Sequence, residues 1–173
     1  MSVSEPGYPL VFRYKGIIDF FGLVTEVKKW YYTKAFELHE KKVKHKQGFG
    51  FEAEYEYTGF RRETEYWRRW IDLHLHIYDG IPVEVEINGV KKKAFKGRIF
   101  GMITAKVEMD YTERFSKNSF TRRLRKFLNM KVIYEDIDEF WTGTTHNVQH
   151  DLLNTIKTFL KTHSAGSEYP TIG

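Results

Sequence analysis

The chain contains no cysteine and only four prolines in its 173 residues. The first absence excludes disulfides and thiolate metal sites and fits a reducing cytoplasm. Long apolar runs are missing as well. Lys, Arg, Asp or Glu interrupts every hydrophobic stretch before it reaches the roughly 18 residues a membrane-spanning helix needs, so a soluble or peripheral protein is expected. Met1–Pro9 holds no basic region followed by an apolar stretch, so no secretory signal is expected. Catalytic signatures are equally scarce. There is no phosphate-loop pattern, no dinucleotide fingerprint, no nucleophile elbow, and no pair of acids set apart as general acid and base. No RNP-like string, zinc finger or helix-turn-helix spacing is found either. These absences put a non-enzymatic binding or assembly role ahead of catalysis, with no cofactor expected.

What the chain does have is aromatic and apolar content, 17% and 41%, enough for a folded globule with an aromatic-heavy core. Twenty-eight Lys and Arg against twenty-three Asp and Glu give a formal charge of +5, a modest preference for anionic partners. The length suits one domain, read as residues 1–163, followed by a C-terminal tail, 164–173. No internal repeat or low-complexity segment is present.

The periodicities predict an α+β fold in which an antiparallel sheet of about six to seven strands packs against an N-terminal helix and C-terminal helices. A strand from Leu10 to Lys15 ends at Gly16, and Asp19 then caps a helix running to about Tyr32. Its apolar residues Phe20, Leu23, Val24, Val27, Trp30 and Tyr31 recur at three- and four-residue intervals, which places them on one face. From Lys34 to Thr112 the period becomes two. Phe49, Phe51, Ala53, Tyr55 and Tyr57 alternate with Glu52, Glu54 and Glu56, the mark of a strand with one buried and one wet face. A two-residue turn at Gln47-Gly48 would set Lys41 opposite Glu54, His39 opposite Glu56 and Leu38 opposite Tyr57.

A strand over Thr64–Tyr78 points Trp67, Ile71, Leu73, Leu75 and Ile77 one way, and Tyr66, Arg68, Trp70, Asp72, His74 and His76 the other. Asn88-Gly89 tolerates the positive φ angles of a type I′ turn and joins Ile81–Ile87 to Val90–Phe95, setting Glu86 against Lys91 and Glu84 against Lys93. The strand from Arg98 to Thr112 is apolar on both faces and is expected to be central. Beyond Ser116 the spacing turns helical, with Phe120, Leu124, Phe127 and Leu128 as one stripe. A second helical region begins near Glu135, breaks at Thr142-Gly143 and resumes through Val148, Leu152, Ile156, Phe159 and Leu160 to about His163.

Four groups of residues could carry chemistry. Asp72, His74 and His76 share one strand face at about 6 to 7 Å spacing and are the best transition-metal candidates. Successive strand side chains stand parallel instead of converging, and Arg68 lies on the same face, so no bound metal is expected there and a hydrogen-bonded row is preferred. His146 and His150, at i and i+4 on a helix, form a second pair without the Glu of the metalloprotease motif.

The basic segment Arg114, Lys117, Arg122, Arg123, Arg125, Lys126 and Lys131 contains the single acid Glu113 at its start, and is either a solvated helix face or an anion or nucleic-acid site, since Arg forks match phosphate. Arg61, Arg62, Arg68 and Arg69 lie among Tyr57, Phe60, Tyr66, Trp67 and Trp70. That mixture resembles single-stranded nucleic-acid sites, but strand alternation divides it between two faces, which favours packed aromatics.

Tyr14-Lys15-Gly16 with Asp19, the Asp72–His76 strand and the Asp110–Leu128 stretch resemble uncharacterised archaeal proteins, a resemblance that implies no function. The element order is also similar to the helix-grip, START-like ligand-binding folds, and that similarity implies a small-molecule cavity only by analogy. The leading expectation is a structural, self-assembling subunit, homo-oligomeric or viral-particle-like, which associates through its terminal arms Met1–Pro9 and Ser164–Gly173 and through charged surfaces. It would be cytoplasmic or part of an assembled particle. The alternatives are an RNA- or ribosome-binding factor using the basic segment and a helix-grip protein with a small ligand.

Overall fold

A computed structural model of the chain describes residues 3–47, 50–87, 90–112 and 144–163. The elements are β1 (Val3–Pro6), β2 (Leu10–Ile18), α1 (Phe20–Thr33), β3 (Glu37–Gln47), β4 (Phe51–Arg62), β5 (Trp67–Ile87), β6 (Val90–Met109) and α2 (His146–His163). The α+β class and antiparallel sheet are as expected. The sheet has six strands: β3, β4, β5 and β6 follow one another as a meander, and β1 and β2 both pair with the far side of β6. β6 is central, as its two apolar faces require.

Helix α1 begins where the Asp19 carboxylate accepts the Gly22 amide at 2.9 Å, satisfying one of the donors a helix start leaves free. Its buried residues are the six that recur at helical spacing. It ends in a Schellman motif. Phe36 N–H reaches Tyr31 O and Ala35 N–H reaches Tyr32 O, with Ala35 in the left-handed region at φ 57°. The motif lays Phe36 on Trp30, ring to ring at 5.7 Å.

The period-2 strands then supply the other half of the core. Ile71, Leu73, Leu75 and Ile77 of β5 and Ile99 and Ile103 of β6 face α1 and α2, and each is at most 1% exposed. Burying one such side chain contributes about 1.5–3 kcal/mol, so this row dominates the stability of the described residues. Leu152, Ile156 and Leu160 of α2 complete the layer. Trp30 Nε1 donates to Asp151 at 2.9 Å and Lys34 pairs with the same carboxylate at 2.8 Å, tying α1 to α2. Both helices therefore lie on one face of the sheet, and neither covers the other.

Several expectations are corrected. Gly16 does not end β2, because the strand continues to Ile18 with Gly16 opposite Gly97. The separate strands expected on either side of Asp79-Gly80 are one strand, β5, carrying an irregularity between Tyr78 and Ile81 where Asp79 takes φ 53°. The β3–β4 register is also shifted. Gln47 pairs with Phe51, so the connection is longer than two residues, and Lys44 and Lys42, not Lys41 and His39, lie opposite Glu54 and Glu56. A bulge between Glu40 and Lys42 then puts His39 opposite Thr58 and Leu38 opposite Gly59. The hairpin across Asn88-Gly89 has the expected register, with Glu84 opposite Lys93 and Glu86 opposite Lys91. The N-terminal arm is not free, since Val3–Pro6 pairs with β6 of its own chain.

Candidate functional site

The sheet face turned away from the helices carries a run of titratable side chains on β3, β4, β5 and β6. Antiparallel register sets Thr58, Asp72 and Thr104 in one row, Glu56, His74 and Met102 in the next, and Glu54, His76 and Phe100 in the third. The side chains then lean diagonally. His74 Nε2 meets Glu54 Oε1 at 3.0 Å, and His76 Nε2 meets Glu52 Oε1 at 2.8 Å. A carboxylate only accepts, so each imidazole carries the shared proton. The rings of His74 and His76 are 6.2 Å apart, each bonds to a different glutamate of β4 and Asp72 joins neither, so the Asp72-x-His74-x-His76 row does not converge on a point. Asp72 Oδ1 is buried and has no hydrogen-bond partner among the described residues.

Lys42 was not singled out from the sequence, yet it is the hub of this face. Its Nζ lies 2.7 Å from Glu54 and 3.2 Å from Glu56. That ammonium, and then His74, hold the Glu54 carboxyl down at about 2. A carboxyl depressed in the folded state adds stability that is complete above its unfolded value near 4.5 and is lost as pH falls toward 2. The side chains are open to solvent, which keeps the contribution small. Glu54→Gln should lower the neutral-pH melting temperature slightly and make unfolding less steep between those pH values. Thermal melts of both proteins across that acid range check this, and parallel curves would contradict it.

At the other end of the same face, Arg68 donates through Nε to Glu108 at 2.7 Å and Trp70 Nε1 reaches the same oxygen at 2.8 Å. The Arg68 guanidinium lies 4.7 Å from the Trp70 ring and Lys106 Nζ lies 4.6 Å from it. Both cations are thus committed to Trp70, and Phe60 stacks on His39. The expected division of the Arg-aromatic mixture is observed. Arg62 and Arg68 belong to the outer face, whereas Arg61 turns inward over Phe36 and Arg69 is fully buried. These residues form a packed cation-aromatic cluster.

Beneath it, Arg69 Nε donates to Thr145 at 3.1 Å and Nη1 lies 3.2 Å from Glu63, whose carboxylate also takes Arg61 Nη2 at 2.6 Å. Burial pulls the Arg69 guanidinium down to about 10, which leaves it charged at neutral pH. The sequence marks Arg61 and Arg69 but not their partners Glu63 and Thr145, although Arg69 has the same strand parity as Ile71 and Leu73 and so was due to point inward. His146 and His150 stand ring to ring at 4.2 Å, and His150 is pushed down by burial and by the His146 charge. The basic segment Arg114, Lys117, Arg122, Arg123, Arg125, Lys126 and Lys131, the Glu135–Glu139 acids and the Ser164–Gly173 tail lie outside the described residues.

Among the described residues no helix is long and apolar enough to cross a membrane. No protein-family model, curated protein or solved structure matches the chain.

Proposed function

We propose that the chain is a non-enzymatic assembly subunit that self-associates by pairing the outer edge of β2, which no described residue pairs with, with β2 of a second copy. The observation that carries this reading is the contrast between the two edges of the sheet. At one edge, β3 bears exposed Lys41, Lys44 and Lys46 and a bulge after Glu40, devices that block further strand pairing. At the other edge, β2 also carries exposed cations, Arg13 and Lys15, but it has no bulge: it runs nine residues in unbroken register with β6, and no described residue pairs with its outer side. Val11, near the start of that edge, is 44% exposed, and Tyr8 just before the strand is 91% exposed.

Two antiparallel β2 strands related by a two-fold axis satisfy each other's backbone groups and bury these apolar side chains, the isologous arrangement most homodimers use. Lys42, Glu52, Glu54, His74 and His76 of the outer face are engaged in ion pairs and hydrogen bonds across strands, which favours a binding surface over a catalytic one. Val3–Pro6 of the N-terminal arm pairs with β6 of its own chain, so the association proposed here runs through the β2 edge and not through that arm.

Val11→Lys adds a further cation to an edge that already carries Arg13 and Lys15, and so opposes its pairing with a second copy. It should halve the mass in solution while the melting temperature of the dilute protein stays within about 2 °C, as expected for an exposed substitution. Light scattering on the variant checks this. A Val11→Lys protein that keeps the wild-type mass removes the edge from the account.

A further inference from the structure

A second, independent observation concerns the middle of the outer face. Glu54, Glu56 and His74 each offer one donor atom, and the three atoms lie within 4.8 Å of one another. They come from two adjacent strands, so the backbone fixes their spacing. A first-row divalent ion holds carboxylate oxygen and imidazole nitrogen at about 2.0–2.2 Å, and small side-chain rotations bring this donor set to that distance.

Two features show that this spot favours positive charge. An ammonium, Lys42 Nζ, already sits against both carboxylates at 2.7 and 3.2 Å. One strand step from His74, on the same face, Asp72 Oδ1 is buried without a hydrogen-bond partner among the described residues, an acceptor left unmet. Lys42 hangs from the edge strand on a flexible stem and is 28% exposed, so it can withdraw to water when a better ligand arrives.

We propose that Glu54, Glu56 and His74 form a site for a first-row divalent ion of the zinc class, with Lys42 as the resident cation that the metal displaces. The site is distinct from the row Asp72, His74 and His76, because His76 is turned to Glu52 and only His74 meets the two glutamates. A bound ion would cross-link β4 to β5 at the middle of the sheet.

The test is a titration of the tag-free, chelator-stripped full chain with cobalt(II), followed by its visible d–d absorption, with zinc as competitor. One cobalt per chain is expected, displaced by zinc. His74→Ala and Glu56→Gln should each weaken binding by at least about tenfold, the loss of one of three protein ligands. Lys42→Met, which removes the competing cation, should tighten it by about tenfold. The paired change His146→Ala with His150→Ala should leave it unaltered, although that pair is the other place where two imidazoles lie close. Circular dichroism verifies that each variant keeps its fold. Absence of saturable cobalt binding overturns the proposal, as does binding that survives His74→Ala or disappears with the His146 and His150 pair. An unchanged affinity in Lys42→Met overturns the displacement.

Discussion

Gly101→Ala should lower the melting temperature by roughly 10 °C. Gly101 lies on the inner face of β6 directly opposite Phe12 of β2, and the Phe12 ring covers it. A Cβ at position 101 would stand 2.1 Å from Phe12 Cζ and 2.2 Å from Cε1, far inside van der Waals contact. The ring cannot simply swing aside, because Phe12 is 7% exposed and packed into the main core. The backbones cannot separate cheaply either, since β2 and β6 are paired in register from Leu10–Ile103 to Ile18–Phe95. Overpacking of this kind costs typically about 1–3 kcal/mol, and more where relaxation is blocked. At about 2–4 °C per kcal/mol for a chain of this size, the upper part of that range gives the expected drop. The pair is coupled: Phe12→Ala alone opens a cavity, but combined with Gly101→Ala it removes the clash, so the double variant should be more stable than the sum of the two losses implies. A Gly101→Ala melt within about 2 °C of wild type would mean that the ring does not lie over the glycine.

Glu63→Ala should cost about 3 kcal/mol or more, larger than any ion pair on the outer face. Glu63 holds two guanidiniums together, Arg61 at 2.6 Å and the fully buried Arg69 at 3.2 Å. Removing the carboxylate brings two like charges into contact inside the protein and takes away the neighbour that offsets the desolvation of Arg69. The outer-face comparison is Lys46–Glu52, whose lysine side chain is 74% exposed and whose loss should be barely measurable. Glu63→Gln keeps an acceptor oxygen and should fall between Glu63→Ala and wild type. Urea unfolding of the three proteins gives the order, and equal midpoints for Glu63→Ala and wild type would contradict it.

The legible parts of the fold were those in which two signals agree. For α1, the Asp19 cap and the three- and four-residue spacing of Phe20 to Tyr31 both specify the same helix and the same buried face. For β5, strict alternation from Ile71 to Ile77 separates core from outer face. Across Asn88-Gly89, turn chemistry and opposed charges agree on one register. The β3–β4 hairpin lacked that agreement. Lys41, Lys42, Lys44 and Lys46 are interchangeable partners for Glu52, Glu54 and Glu56, so charge could not choose among registers, and the longer connection with its bulge moved the pairing.

The same ambiguity hid the candidate site. Asp72, His74 and His76 are visible as a row on one strand, but the partners that matter come from β4 and β3, and their diagonal lean depends on a register that pattern alone does not fix. β1 escaped notice because four residues ending in Pro6 carry almost no strand signal and are ordered by β6. Arg69 was named among the basic-aromatic residues, but its partner Glu63 was not, because Glu63 lies beyond the end of β4 where the alternation gives no orientation.

The most direct test of the assembly reading is the native mass of the wild-type chain, measured by light scattering from low to high micromolar concentration at near-physiological salt. A mass of twice the 20.7 kDa chain or more, falling toward one chain on dilution, is the expected result. A single-chain mass at every concentration would contradict self-association through β2.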